Sequence, residues 1–259
     1  MRWLMVIYGF VAMVAHHQTT WAQSTLHAAV ASNFSIPMSA LIEDFNRQHP
    51  NTKVTVSYAS SGKLYAQIKH GAPYGVFLSA DQDKVQRLID DNLADASTRF
   101  TYALGKLVLW APGATKPPDL SLLNSSTQDS VLKGKLALAN PKLAPYGFAA
   151  TQVIEALGMT RATRRHWVMG ENIGQTFQFV RSGNASMGFV AQSQVLDQSN
   201  QIWAIPQNLY TPIYQDAVTL NTHKASTPAR EFMAFLSSEH AKRIIHRLGY
   251  GVLDGRSTP

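Results

Sequence analysis

Tyr58-Ala59-Ser60-Ser61-Gly62-Lys63-Leu64 joins an alternating apolar run (Val54, Val56, Tyr58) to apolar residues at helical spacing (Leu64, Ile68). Two hydroxyls and a glycine therefore stand where a strand hands over to a helix. Such a junction suits an anion, because the first N–H groups of a helix lack partners and lie at the positive end of its dipole. Three further elbows have the same form: Ser32-Asn33, Tyr146-Gly147 and Asn172-Ile173 each follow an extended segment and precede a helix.

The rest of the chain repeats the rhythm. Leu26, Ala28 and Val30 alternate as a strand, and a helix follows with Pro37 in its first turn and Ile36, Ala40, Leu41 and Phe45 on one face. Gly71-Ala72-Pro73-Tyr74 ends the helix after Ser61. The run Val76-Phe77-Leu78 then opens on Asp81, expected to cap a helix carrying Val85, Leu88 and Ile89. Apolar strands are predicted at 107–112, 136–139, 187–190 and 217–220. Helices are predicted after Tyr146, ending at Gly158, and after Asn172, ending at Gly183, and one long final helix is predicted from Pro228 to Leu248. Strand and helix in alternation with short connections indicate an α/β fold with largely parallel sheets.

The 259 residues are 45% apolar and 15% charged, which suits a globular protein of one or two domains. Arg2, the apolar run 3–15 and a polar stretch ending at Ala22 have the order of a signal peptide, with cleavage expected after Ala22. That apolar run is shorter than the roughly 20 residues a membrane span needs. No later stretch approaches that length, so the mature chain is expected to be soluble and exported. The absence of cysteine removes disulfides and any lipidated cysteine anchor. Formal charge is +7, and losing Arg2 leaves 22 basic residues against 16 acidic ones. The dense basic group Arg161, Arg164 and Arg165 reads as a solvated surface. A basic stripe with interleaved aromatics, which nucleic-acid binding would require, is absent.

Four elbows converging at the carboxyl ends of strands would make a pocket of neutral donors. None of the four elbows contains arginine, the usual partner of a carboxylate ligand. A protonated phosphate would need an acceptor, and the candidates Glu171 and Asp81 read more economically as first-turn or capping acids. A dianion such as sulfate, molybdate or tungstate fits a donor-only site. A competing enzymatic reading takes Ser60 and Lys63 as an S-x-x-K pair and Ser182-Gly183-Asn184 as its S-x-N partner, but no K-T-G strand accompanies them. The nine histidines lack metal-ligand spacing.

Ala29-Val30-Ala31-Ser32-Asn33-Phe34, Tyr58-Ala59-Ser60-Ser61-Gly62-Lys63-Leu64, Gln67-Ile68 with Gly71-Ala72-Pro73, Phe77-Leu78-Ser79-Ala80-Asp81, Asn140-Pro141 with Tyr146-Gly147, and Gly188-Phe189-Val190 together resemble the periplasmic molybdate-binding proteins of ABC transporters, over residues 26–250. The resemblance implies two α/β lobes, each a mostly parallel sheet flanked by helices, joined by a double-crossover hinge and closing on molybdate or tungstate. It places lobe 1 at 24–104 and 215–259 and lobe 2 at 105–214, with crossings near 103–106 and 213–216. It assigns ligand contacts to Ser32, Asn33 and Ser61 in the first lobe, and to Tyr146 and the backbone of Ile173 in the second. The better-known members carry a tyrosine where this chain has Ala191 and a small residue where it has Tyr146; this chain resembles the subgroup whose tyrosine comes from the other segment. A non-enzymatic monomer without cofactor or metal cation is implied, with a membrane permease and an ATPase as partners in the periplasm. Other oxyanions, sulfate or phosphate, stay open as ligands.

Overall fold

The computed structural model describes residues 24–114, 134–224 and 226–253. The expected signal peptide at 1–22, its cleavage after Ala22, most of the Pro- and Ser-rich passage between Pro112 and Gly134, and the last six residues lie outside these ranges. Among the described residues no helix is long and apolar enough to cross a membrane.

Two five-stranded sheets organise the chain. The first takes β1 (Ser24–Ala31), β2 (Thr52–Ala59), β3 (Val76–Leu78), β4 (Phe100–Gly105) and β10 (Ile213–Thr219) in the order β2-β1-β3-β10-β4. The second takes β5 (Leu107–Trp110), β6 (Leu136–Ala139), β7 (Trp167–Gly170), β8 (Met187–Ala191) and β9 (Ile202–Ala204) in the order β7-β6-β8-β5-β9. β1 lies parallel to β2 and β3, β6 lies parallel to β7 and β8, and β10 and β5 are each antiparallel to both neighbours. Each sheet therefore has four strands running one way and one running against them, next to the edge.

Helices cover both faces, as buried parallel strands require. Along β1, Ala28 and Val30 face a core with Phe34, Leu41, Phe45 and Phe232, while Ala29 between them faces a second core with Leu64, Phe77 and Val85. This is the period-two alternation of a strand. The second sheet divides its faces in the same way, with Leu136 and Leu138 on one side and Ala137 on the other. The chain leaves the first sheet at Gly105 and enters the second at Leu107, and it returns between Ala204 and Ile213. Ile213 pairs with Gly105, so the two crossings lie side by side.

The helices are α1 (Ser35–Gln48), α2 (Ser61–Lys69), α3 (Asp83–Asp90), α4 (Pro145–Ala156), α5 (Thr160–Thr163), α6 (Ile173–Arg181), α7 (Thr227–Ser237) and α8 (Glu239–Arg247). Gly158, at φ +68°, stops α4 in the left-handed conformation that a side chain disfavours. Three expectations need correction. The single final helix is two, because Ser238 is extended (φ −68°, ψ 152°) and its hydroxyl accepts the Ala241 N–H to start α8. Ile36 is 43% exposed; the buried stripe of α1 runs through Met38, Leu41 and Phe45 instead. Helix α3 starts two residues after Asp81, although Asp81 Oδ1 still accepts the Lys84 N–H at 2.9 Å. Strands β4, β7 and β9 had no counterpart in the sequence reading.

Candidate functional site

The carboxyl ends of β1, β2 and β3 in the first sheet face those of β6 and β7 in the second, and the elbows after these strands enclose a cavity. Ser32, Asn33, Ser61, Tyr146 and Ile173 all line it, with Ser60, Ala80 and Ala144 beside them. The cavity is small, about 10 Å³, room for about one water-sized group and far below the hundreds of Å³ of an organic-ligand pocket. Ala191 is not in its lining.

The local geometry follows from how α2 and α6 begin. Ser60 caps α2, its hydroxyl accepting the Lys63 N–H at 3.4 Å; the Gly62 N–H crosses to the Leu143 carbonyl at 2.9 Å. Asn172 caps α6, its Oδ1 accepting the Gln175 N–H at 3.0 Å; the Gly174 N–H crosses to the Ser32 hydroxyl at 3.3 Å. In both helices the second and third N–H groups thus have acceptors. The first belongs to Ser61 in α2 and to Ile173 in α6, and for these no acceptor exists among the described residues. Both residues line the cavity, one from each sheet.

Side-chain hydroxyls add to this. The Ser61 hydroxyl accepts the Ala80 N–H at 2.9 Å, and a hydroxyl oxygen that accepts still has its own proton to donate. The Ser32 hydroxyl stands in the same position through Gly174. Tyr146 is 1% exposed and its hydroxyl accepts from Gln215 Nε2 at 3.3 Å. That hydroxyl packs directly on the crossing strand: a Cβ added at Gly105 would lie 2.4 Å from it, so only glycine fits there. Burial, followed by the neighbouring Tyr250 hydroxyl, pushes the Tyr146 pKa well above its usual range. Tyr146 keeps its proton at neutral pH, so its hydroxyl is able to donate.

The Asn33 side chain is committed within the fold. Its Nδ2 already donates to Gln215 Oε1 (2.8 Å) and to the Tyr250 hydroxyl (3.0 Å), which leaves its backbone as the group able to meet a ligand. Gln215, Tyr250, Tyr102 and Ser193 form with it a buried polar cluster that sequence reading missed. No motif marks these residues: Gln215, Tyr250 and Ser193 meet Asn33 from far along the chain, and Tyr102 joins them through Gln215.

No charged residue lines the cavity. Lys63 pairs with Glu171 at 2.6 Å, linking the start of α2 to the elbow before α6. Asp81 is held by the Lys84 N–H and, at 3.0 Å, by the Lys84 ammonium. Neither acid lines the cavity, so no carboxylate acceptor faces it. The S-x-x-K reading does not gather its parts: the Lys63 ammonium lies on Glu171, and Ser182 with Asn184 sits past the far end of α6. Among the described residues no group of three or more His, Asp or Glu side chains could hold a metal ion.

Comparisons with known proteins converge. A family model described as bacterial extracellular solute-binding protein matches residues 26–251. The molybdate-binding protein ModA of Azotobacter vinelandii is 40% identical over 231 residues, 88% of this chain and 90% of the relative. ModA of Rhodobacter capsulatus is 39% identical over 224 residues, 86% of each. The solved structure of the Azotobacter vinelandii periplasmic molybdate-binding protein superposes with a TM-score of 0.79 at 34% identity, covering 88% of this chain and all of that one.

Proposed function

This chain belongs to the bacterial extracellular solute-binding proteins, and from that premise we propose that it captures molybdate, and tungstate of the same shape and charge, between its two lobes. The lobes are taken as 24–104 with 215–259, and 105–214. The observation that carries the reading is a cavity lined from both sheets by no charged residue, with neutral donors on it: the first N–H groups of α2 and α6, and the hydroxyls of Ser32, Ser61 and Tyr146. A fully deprotonated tetrahedral dianion needs donors on every side and no acceptor. Hydrogenphosphate would leave its own proton unpaired, and a buried unpaired donor costs about 1–3 kcal/mol.

A cavity of this size admits the ion only when the lobes part, and the adjacent crossings at Gly105–Leu107 and before Ile213 are where they would pivot. Closure would then bury the ion under α2 and α6 and expose a joint surface for a membrane permease driven by an ATPase. We place the protein in the periplasm, exported by residues 1–22 and acting as a monomer without enzymatic activity. Calorimetric titration with molybdate, tungstate, sulfate, phosphate and acetate tests the assignment. Heat is expected from the first two alone; sulfate binding of equal strength would reassign the ligand, and acetate binding would remove the donor-only argument altogether.

A further inference from the structure

Beneath the cavity lies the polar cluster around Gln215 on β10, which is fully buried. It touches proposed ligand contacts from both lobes, since its Nε2 donates to Tyr146 and its Oε1 accepts from Asn33. The direction of each hydrogen bond follows from one fixed point. The Asn33 backbone carbonyl can only accept, so the Tyr250 hydroxyl at 2.7 Å gives its proton there. With that proton committed, the Tyr250 oxygen accepts from the Asn33 side-chain amide, which fixes Nδ2 on that side. The other Nδ2 hydrogen goes to Gln215 Oε1, and the Tyr102 hydroxyl at 2.9 Å points to the same oxygen. Gln215 must therefore turn its NH₂ toward Tyr146, whose oxygen accepts and whose proton is aimed elsewhere.

We propose that Gln215 is the positioning residue that makes the Tyr146 hydroxyl a donor toward the bound oxyanion, so that the site rejects anions which carry a proton of their own. The proposal rests on the reading of Tyr146 as a ligand contact. A freely rotating hydroxyl could either give a hydrogen bond to an anion or take one from it. Held by the Gln215 amide, it gives. The competing acceptor nearby is the Tyr250 oxygen, already engaged by Asn33, and a dianion in the cavity is the stronger acceptor.

A double-mutant cycle read by calorimetry tests this. Gln215→Met keeps the length of the side chain, removes both polar ends and adds no charge. It is expected to weaken molybdate binding about fivefold or more in the wild-type background and less than about twofold in Tyr146→Phe. The preference for molybdate over phosphate should shrink in Gln215→Met. Equal losses in the two backgrounds, or an unchanged affinity, would overturn the proposal while leaving the ligand assignment standing. A wild-type protein that ignores molybdate would overturn both. Should Gln215→Met melt before titration, Gln215→Leu, which likewise removes both polar ends without adding charge, carries the same cycle with the same deciding outcomes.

Discussion

Ser61 does two jobs with one hydroxyl: it accepts the Ala80 N–H inside the fold, and its remaining proton belongs to the proposed ligand. Ser61→Ala therefore has two separable effects. The ligand-free protein should lose about 1–3 kcal/mol of stability, because the buried Ala80 N–H is left without an acceptor. Molybdate affinity should fall by a further 1.5–3 kcal/mol, roughly 10- to 150-fold, for a lost donor to a charged group. A melt without ligand and a titration with it read the two numbers independently, and a loss of affinity below about twofold would place Ser61 outside the site. The five residues assigned by family resemblance line one cavity, and each sits at a strand-to-helix elbow, a local pattern written in consecutive residues. Gln215 has no such pattern. It stands mid-strand, and its meaning comes from Asn33, 182 positions earlier, and Tyr146, 69 positions earlier.

Among elements, the contact between α1 and α8 carries a pH signature. The Asp44 carboxylate on α1 is held below its ordinary pKa, first by a hydrogen bond from His240 on α8, then by Arg47, with burial opposing. A carboxylate depressed in the folded state contributes stability that is present above the unfolded value, about 3.9, and disappears as pH falls through the folded one. Wild type should lose melting temperature more steeply than Asp44→Asn below about pH 4.5. The difference should be small, since His240 and Arg47 are largely solvent-facing and salt screens them; equal slopes would show that the pair does not titrate with folding. Helices long enough to show a 3.6 period were legible, and so were apolar strands. Where reading failed, competing local chemistry decided. Ser238 offers its own oxygen to the next helix and breaks a run whose apolar spacing looked continuous. β7 and β9 each carry only three consecutive apolar residues, too few to show a strand's alternation.

For the whole molecule, the bonds between the lobes include Gly62 to Leu143, Gly174 to Ser32, Lys63 to Glu171, Gln215 to Tyr146, and Ser193 to Asn33 and Tyr250. Lys63→Ala removes a half-exposed ion pair worth about 0.2–1 kcal/mol, so affinity should weaken less than about sixfold, and less still at high salt. Stopped-flow dissociation at two ionic strengths measures it, and a salt-independent change would mean that the ammonium acts on the ligand by another route. Small-angle scattering should show the radius of gyration decrease when molybdate is added; an unchanged profile would remove lobe closure from the mechanism. The α/β class was readable from alternation alone, whereas the side-by-side crossings came from family resemblance, because nothing local marks residues 213–216 as partners of 100–105. That placement also dictates an order of assembly. β10 fills the gap between β3 and β4, so the first sheet stays broken until four-fifths of the polypeptide exists. Pairing across more than a hundred residues closes slowly, and a nascent or truncated chain ending before Ile213 has no means of completing its amino-terminal half.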